Sequence, residues 1–380
     1  MKVLYVINNL YSKGNGLCAA CRDNIIKLKE RGIEVKVLSG PDHFFLEEPD
    51  FELEDLYIPI FNTLICKHGY QFSRVDKEVI TEAVKWADVI HLEEPFIVQV
   101  VAAKIAKKLG KPCVATYHLH PENIFASIKM ELSHLLNGGL LWFWKKLIYD
   151  KCKIVHCPSE NVRARLEKAG LKAELRTFSN GLDSNKLLHV DKENIKKETY
   201  NIISIGRYAY EKDHKTIINA LKYSKYKDKI KLTLAGCGPI ERKLKRKAKK
   251  LYKKGIIKHK IEFGFLDMGS LQKIAQEADL YIHSAFIEVE GLSCMEAIQT
   301  GLVPIIAEGK LTATSQFALS DNSKYKARRP KDLALKIDYW LSDDEARYNE
   351  SLKYKNISST YNIDYSIDEM IKMYEDAIES

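Results

Sequence analysis

The stretch Ala278-Asp-Leu-Tyr-Ile-His-Ser284 is a short apolar run with the makeup of a buried strand. From Gly291 onward, Leu292, Met295, Ala297 and Ile298 recur at helical spacing. Between them lies Glu288-Val-Glu-Gly-Leu-Ser-Cys-Met-Glu296, so Glu288 falls in a strand-to-helix loop and Glu296 lies over a turn into the helix. Strand, loop and helix form the repeating unit of a parallel sheet. Working outward, the same alternation runs from Met1 to about Leu175 and again from Tyr200 to about Ile306. The break falls between Gly181 and Tyr200, in the charged, poorly periodic run Asp191-Lys-Glu-Asn-Ile-Lys-Lys-Glu-Thr199. A chain of 380 residues is too long for one ordinary core. The expected fold is therefore α/β, with two doubly wound parallel-sheet domains at 1–188 and 189–362, followed by a terminal helix at 363–380. Such sheets carry ligands beyond the carboxyl ends of their strands, so two of them facing each other are expected to form a ligand-binding cleft.

A pair of glutamates at this spacing is ordinary at a helix start, and it gains meaning from its neighbours. One carboxylate can accept bonds from sugar hydroxyls and the other from ribose hydroxyls, while N–H groups near Gly291 favour an anion. Upstream, Ile202-Ile-Ser-Ile-Gly206-Arg207 reads as a buried strand ending in Gly-Arg, and Glu211-Lys212-Asp213-His214-Lys215 opens an amphipathic helix. Arg207 can fork onto phosphate oxygens and Lys212 can add a point charge, a pairing suited to a leaving diphosphate. Leu232-Thr-Leu-Ala-Gly236-Cys-Gly238-Pro239 is a further strand ending in a glycine-rich turn, where small residues let a ligand approach the backbone. Together these features suit a nucleotide-sugar.

These three runs resemble the C-terminal half of retaining glycosyltransferase family 4, which has the GT-B fold and an E-x7-E motif. The resemblance extends through Ile261-Glu-Phe-Gly264-Phe and Ala297-Ile-Gln-Thr-Gly301-Leu-Val-Pro304. On the N-terminal side, Lys2-Val-Leu-Tyr-Val-Ile7, Gly14-Asn-Gly16, Ala87-Asp88-Val-Ile-His91, Lys111-Pro112-Cys-Val-Ala-Thr116-Tyr-His118 and Ser179-Asn180-Gly181 follow in the family's order. The resemblance implies a sugar transfer from a nucleoside diphosphate with retention, a UDP-sugar being expected ahead of a GDP-sugar. It implies Arg207, Lys212, Glu288 and His118 as catalytic residues, and Gly16, Gly206, Gly236, Gly291, Leu292, Ser293 and Glu296 as donor-binding residues. His118 ends the strand Cys113–Thr116 at its carboxyl side, and His120 is a second histidine in the same pattern, with Glu122 and Asn123 as acceptor contacts. The resemblance further implies that the leaving phosphate takes the acceptor proton, so no carboxylate base is expected. No Asp-x-Asp motif stands at a strand end, so catalysis is expected to need neither a metal nor a cofactor. The terminal helix is expected to cross back onto the N-terminal domain. Two departures from the family pattern stand out: Glu290 where an aromatic usually precedes the glycine, and Glu308-Gly-Lys310-Leu-Thr312-Ala-Thr314 where a Gly-Gly stretch is usual.

Composition excludes several classes. With 46% hydrophobic and 29% charged residues the chain is an ordinary globular one, and no run of about 18 apolar residues suggests a membrane span. The first residues read as a strand, not a secretory leader, so a cytoplasmic protein is expected, with a place at the inner face of the cell membrane. Of eight cysteines, Cys18-Ala-Ala-Cys21 alone forms a Cys-x-x-Cys. It could be a redox pair or half a metal site, but no second pair or neighbouring histidine cluster completes it, and two buried, reduced thiols on a helix are the expectation. Residues 191–260 carry 22 basic and 7 acidic side chains, a local excess of +15. That excess suggests nucleic acid, yet no helix-turn-helix, zinc finger or aromatic RNA-binding pattern supports it, and a solvated helix face over Arg242–Lys250 is expected. Leu140-Leu-Trp142-Phe143-Trp144-Lys145-Lys146 reads either as a peripheral membrane segment or as a core helix. An NAD-dependent oxidoreductase is disfavoured because Ala19 replaces the third glycine of Gly-x-Gly-x-x-Gly. The expected acceptor is a cell-surface polysaccharide, as in capsule or lipopolysaccharide, or a lipid-linked glycan, with diacylglycerol as the alternative.

Overall fold

The computed structural model describes residues 1–11, 15–42, 48–59, 71–183, 197–266 and 268–380. Gly14 of the first glycine loop and most of the charged linker run, 184–196, lie outside them. Two compact units divide the chain: Met1–Gly181 together with Ile363–Ser380, and Leu182–Asn362. The division thus falls after Gly181, where the sequence reading drew it at 188/189, a position outside the described residues.

The first unit is built on β1 (Lys2–Val6), β2 (Glu34–Ser39), β3 (Phe51–Glu52), β4 (Val89–Leu92), β5 (Cys113–Thr116), β6 (Ile154–Cys157) and β7 (Glu174–Thr177). They pair in parallel in the order β3-β2-β1-β4-β5-β6-β7. Every residue of β4, β5 and β6 is buried, as expected of central strands covered by helices on both faces. The order reverses between β1 and β4, which puts the ends of those strands at a topological switch point. Main-chain and side-chain N–H groups of Asn8, just beyond β1, donate to Glu94 Oε2, just beyond β4, at 2.7 and 2.9 Å.

The helix Ile363–Glu379 packs into this first unit, contributing Ile363, Ile367, Met370, Met373, Tyr374 and Ala377 to the core around β1. Inside that core the Tyr374 hydroxyl meets Tyr5 Oη at 3.1 Å and His91 Nδ1 at 2.8 Å. Each large apolar side chain buried here contributes roughly 1.5–3 kcal/mol. The exposed pairs of Arg31 with Asp364 and Asp368 are screened by water, so burial and not charge seats the helix.

The second unit carries β8 (Tyr200–Ile205), β9 (Ile230–Ala235), β10 (Glu262–Gly264), β11 (Leu280–His283), β13 (Val303–Glu308) and β15 (Lys324–Lys326), paired in parallel in the order β10-β9-β8-β11-β13-β15. The run that opened the sequence reading becomes β11, with Leu280 and Tyr281 aligned on Ile202 and Ile203 of β8. Here the switch point lies between β8 and β11. A separate two-residue ladder joins β12 (Ile287–Glu288) to β14 (Leu311–Thr312), setting Glu288 opposite Thr312.

Two segments singled out by composition are surface-facing. The basic helix Glu241–Lys253 buries Leu244, Ala248 and Leu251 and turns most of its lysines to solvent. The helix His134–Leu147 buries Asn137, Leu141 and Trp144, while Leu135 is 85%, Trp142 61% and Phe143 50% exposed. Among the described residues no helix is long and apolar enough to cross a membrane.

Candidate active site

In the second unit the loops after β8, β9 and β11 are stitched together by the backbone. Gly206 N–H donates to Ala235 O at 2.9 Å, and Tyr208 N–H to Cys237 O at 2.7 Å. Phe286 N–H donates to Glu211 O at 3.0 Å, and Ser284 Oγ to Lys212 O at 2.6 Å. The segment Arg207–Asp213 is thereby held against the glycine turn on one side and the β11 loop on the other. A Cβ on Gly236 would lie 2.1 Å from Gly206 O, so only glycine at position 236 lets the two loops approach this closely.

Arg207 and Lys212 are both placed by carboxylates. Arg207 donates to the buried Glu211 at 3.0 Å, and Lys212 Nζ bonds directly to Glu288. The sequence reading gave Lys212 and Glu288 separate tasks, one on phosphate and one on sugar. In the structure they form one ion pair, with His283 Nε2 3.3 Å from the same Glu288 oxygen. Burial would raise the Glu288 carboxyl, but Lys212 and His283 outweigh it and hold the group at about 2. Glu288 is therefore an anion throughout the neutral range, and Lys212 sits beside it as a fixed cation.

The loop that departs from the family pattern positions this pair. Ala313 N–H donates to Glu288 O at 2.9 Å, and Thr312 and Thr314 hydroxyls meet at 2.7 Å beneath it. Gly291 caps the helix Leu292–Gln299 with φ +100°, its carbonyl accepting from Cys294 N–H at 2.8 Å. No side chain caps this helix, and the N–H groups of Leu292 and Ser293, in its first turn, have no intrahelical acceptor. Ser293 Oγ accepts from the Tyr281 hydroxyl at 3.2 Å, Leu292 packs half-buried against the core, and Glu296 is half-buried on the same helix. Glu290 is buried.

In the first unit Gly16 begins the helix Gly16–Glu30 on an exposed turn capped by Asn15. His118 lies beyond β5, and its Nε2 is 2.7 Å from Glu93 Oε2. His120 is fully enclosed, with Nδ1 3.3 Å from the Tyr117 hydroxyl, which separates the two histidines that the sequence left open. Glu122 and Asn123, read as acceptor contacts, are engaged within the fold. Arg165 clasps both Glu122 oxygens at 2.9 Å, and Asn123 Oδ1 accepts from His120 N–H at 3.0 Å.

Glu93 is the residue that sequence reading missed. It is buried behind His118, and its other oxygen is 3.3 Å from His91 Nε2. Burial would raise its carboxyl, yet His91, then His118 and His156, hold it at about 2. The signal available was an acidic pair, Glu93-Glu94, directly after the buried run Val89–Leu92.

Two all-parallel, doubly wound units with charged and glycine-bearing loops at the carboxyl ends of their strands constitute the GT-B architecture of glycosyltransferases. The model for glycosyl transferases group 1 matches residues 185–357, and that for glycosyltransferase family 4 matches residues 19–186. The chain belongs to glycosyltransferase family 4 and is a glycosyltransferase. It is 27% identical over 323 residues to an alpha-monoglucosyldiacylglycerol synthase of Streptococcus pneumoniae, a match covering 81% of this chain and 71% of that protein. Among solved structures, Anabaena HepE in complex with UDP and glucose is similar at TM-score 0.74 and 16% identity, over 99% of this chain and 100% of that one. Sucrose-phosphate synthase of Thermosynechococcus elongatus is similar at TM-score 0.76 and 14% identity, over 99% and 98%. At those identities the two structures establish the fold alone.

Proposed function

We propose that this glycosyltransferase moves a sugar from a nucleoside-diphosphate-sugar, a UDP-sugar ahead of a GDP-sugar, to a lipid or lipid-linked glycan at a membrane surface, with retention of configuration. The observation that carries the donor half is the Lys212–Glu288 pair at the switch point between β8 and β11. Lys212 and Arg207 lie where a diphosphate would collect negative charge as it leaves, and fixed cations there act in the transition state without reorganising. Glu288, held ionised, accepts donor-sugar hydroxyls, while Glu296 accepts from the ribose. The open N–H groups at Leu292 and Ser293 take phosphate oxygens. His118 hydrogen-bonds a sugar hydroxyl, with Glu93 fixing its ring. The leaving phosphate takes the acceptor proton, so no protein base and no metal enters the reaction.

The acceptor half rests on the surface of the first unit. Ile128, Met130, Leu132, Leu135, Trp142 and Phe143 are all exposed within one short stretch. The one carboxylate of residues 128–146, Glu131, is buried, while Lys129 and Lys146 face solvent. An apolar face rimmed by cations fits an anionic bilayer, and the name of the pneumococcal relative points to a lipid acceptor. Replacing Trp142 by Glu is expected to weaken co-sedimentation with anionic vesicles by about 10- to 100-fold, the loss of one buried aromatic. Equal pelleting would remove the membrane from this reading.

The test of the whole is a panel of UDP- and GDP-sugars offered with diacylglycerol vesicles and in their absence. Donor hydrolysis that rises when vesicles are added is the expected result. A chain stabilised by NAD alone, with every nucleotide-sugar left intact, would overturn it.

A further inference from the structure

Cys21, Glu93 and His118 come from three separate elements of the first unit: the helix Gly16–Glu30, the end of β4 and the segment beyond β5. One ligand atom from each lies within 4.8 Å of the other two. The Cys-x-x-Cys that looked incomplete in the sequence is joined by partners over 70 positions away, and only its second cysteine takes part, since the Cys18 thiol donates to Asn9 O at 3.1 Å. We propose that Cys21, Glu93 and His118 form a binding site for a soft divalent ion of the zinc class.

The donor set decides which ion. A thiolate, an imidazole nitrogen and one carboxylate oxygen are the ligands that zinc and cobalt take in open, three-ligand sites with a fourth position left for water or a substrate hydroxyl. Magnesium requires near-octahedral oxygen ligation and is excluded by the sulfur. The cluster also has the outer support that such sites use: Glu93 Oε1 is 3.3 Å from His91 Nε2, and His91 is held in turn by the Tyr374 hydroxyl at 2.8 Å and Thr116 Oγ1 at 2.7 Å. Without an ion, the Glu93 carboxylate already bonds to His118 and the Cys21 thiol lies within 4.8 Å of both, so the three ligand atoms are gathered in one place. On binding, the sulfur–metal bond forms as the thiol proton leaves for water, and the proton between Glu93 Oε2 and His118 Nε2 leaves that nitrogen, the imidazole taking up its other tautomer through water, so that the hydrogen bond is exchanged for one bond from each residue to the ion. No oxidation state changes.

Occupancy takes His118 out of its sugar-binding role, so the ion acts as an inhibitor and not a cofactor. That consequence rests on the functional reading of His118 above, whereas the site itself does not. Cobalt titrated into the reduced, chelator-free chain is the probe. One equivalent is expected to bind with thiolate-to-cobalt charge-transfer absorption and to be displaced by zinc. The band is expected to vanish in Cys21→Ser, to need at least about 10-fold more cobalt in His118→Ala, and to persist in Cys237→Ser, which removes the exposed thiol of the glycine turn. A band that survives Cys21→Ser, or wild-type protein that binds cobalt with no thiolate band, would overturn the site. Circular dichroism of Cys21→Ser and His118→Ala keeps loss of folding separate from loss of a ligand. If cobalt binds as expected and zinc leaves donor hydrolysis unchanged, the metal site stands and the role given to His118 falls.

Discussion

Alanine at Lys212 is expected to lower turnover by about 10²- to 10³-fold, the scale seen when one fixed charge-stabilising group is removed from a transition state. The ammonium contacts Glu288 directly, and both side chains are largely buried, so the charge acts where water screens it little. The substitution also strands the Glu288 carboxylate, at a stability cost of about 1–3 kcal/mol. These two effects separate in the double variant Lys212→Ala with Glu288→Gln, which is expected to recover most of the stability and none of the turnover. Stability against pH gives a further check. A carboxyl lowered from 4.5 to about 2 contributes stability above its unfolded value, and that contribution is lost as pH falls toward 2. Glu288→Gln should flatten this part of the profile. Wild-type turnover in Lys212→Ala would remove the diphosphate assignment.

The largest effect on stability is expected from Gly291→Ala. A Cβ at this position would stand 2.0 Å from Thr314 Cγ2, and φ +100° is a conformation that side chains adopt only under strain. Thr314 is fully buried and tied to Thr312, so it has nowhere to go. Overpacking costs about 1–3 kcal/mol and left-handed backbone about 1–2 kcal/mol, together a loss of about 2–5 kcal/mol in denaturant unfolding. Thr314→Ser removes the opposing methyl, so the pair Gly291→Ala with Thr314→Ser is expected to recover the packing part and retain the backbone part. No recovery at all would mean that the methyl is not the obstacle.

Much of this was legible before the structure because it depends on short-range pattern. Ala278–Ser284 reads as a strand candidate and becomes one over Leu280–His283, and Gly206-Arg207 follows the apolar run that forms β8, since short apolar runs bounded by turn residues suit strands buried on both faces. What was not legible depends on distance in space. Glu93 has only the faint signature of an acidic pair after a buried run, and it gains its part when the sheet sets it between His91 and His118. The β12–β14 ladder is two residues long, below any periodicity, yet it determines where Glu288 points. The helix His134–Leu147 is apolar nearly all round, so hydropathy could not choose between Trp142 and Trp144. Spacing relates Asn137, Leu141 and Trp144 as one face, but only packing shows which face is inward.

Because Ile363–Ser380 belong to the first unit, Leu182–Asn362 is in effect an insertion within it. On the ribosome, residues 1–181 emerge first with a gap around Tyr5 and His91 that Met370 and Tyr374 will later fill. At roughly 5–20 residues per second, the gap stays open for on the order of 10–40 s while the intervening unit is made. The nascent N-terminal half therefore waits with apolar surface uncovered until its last helix is made, whereas Leu182–Asn362, continuous in the chain, is the half to excise for independent expression.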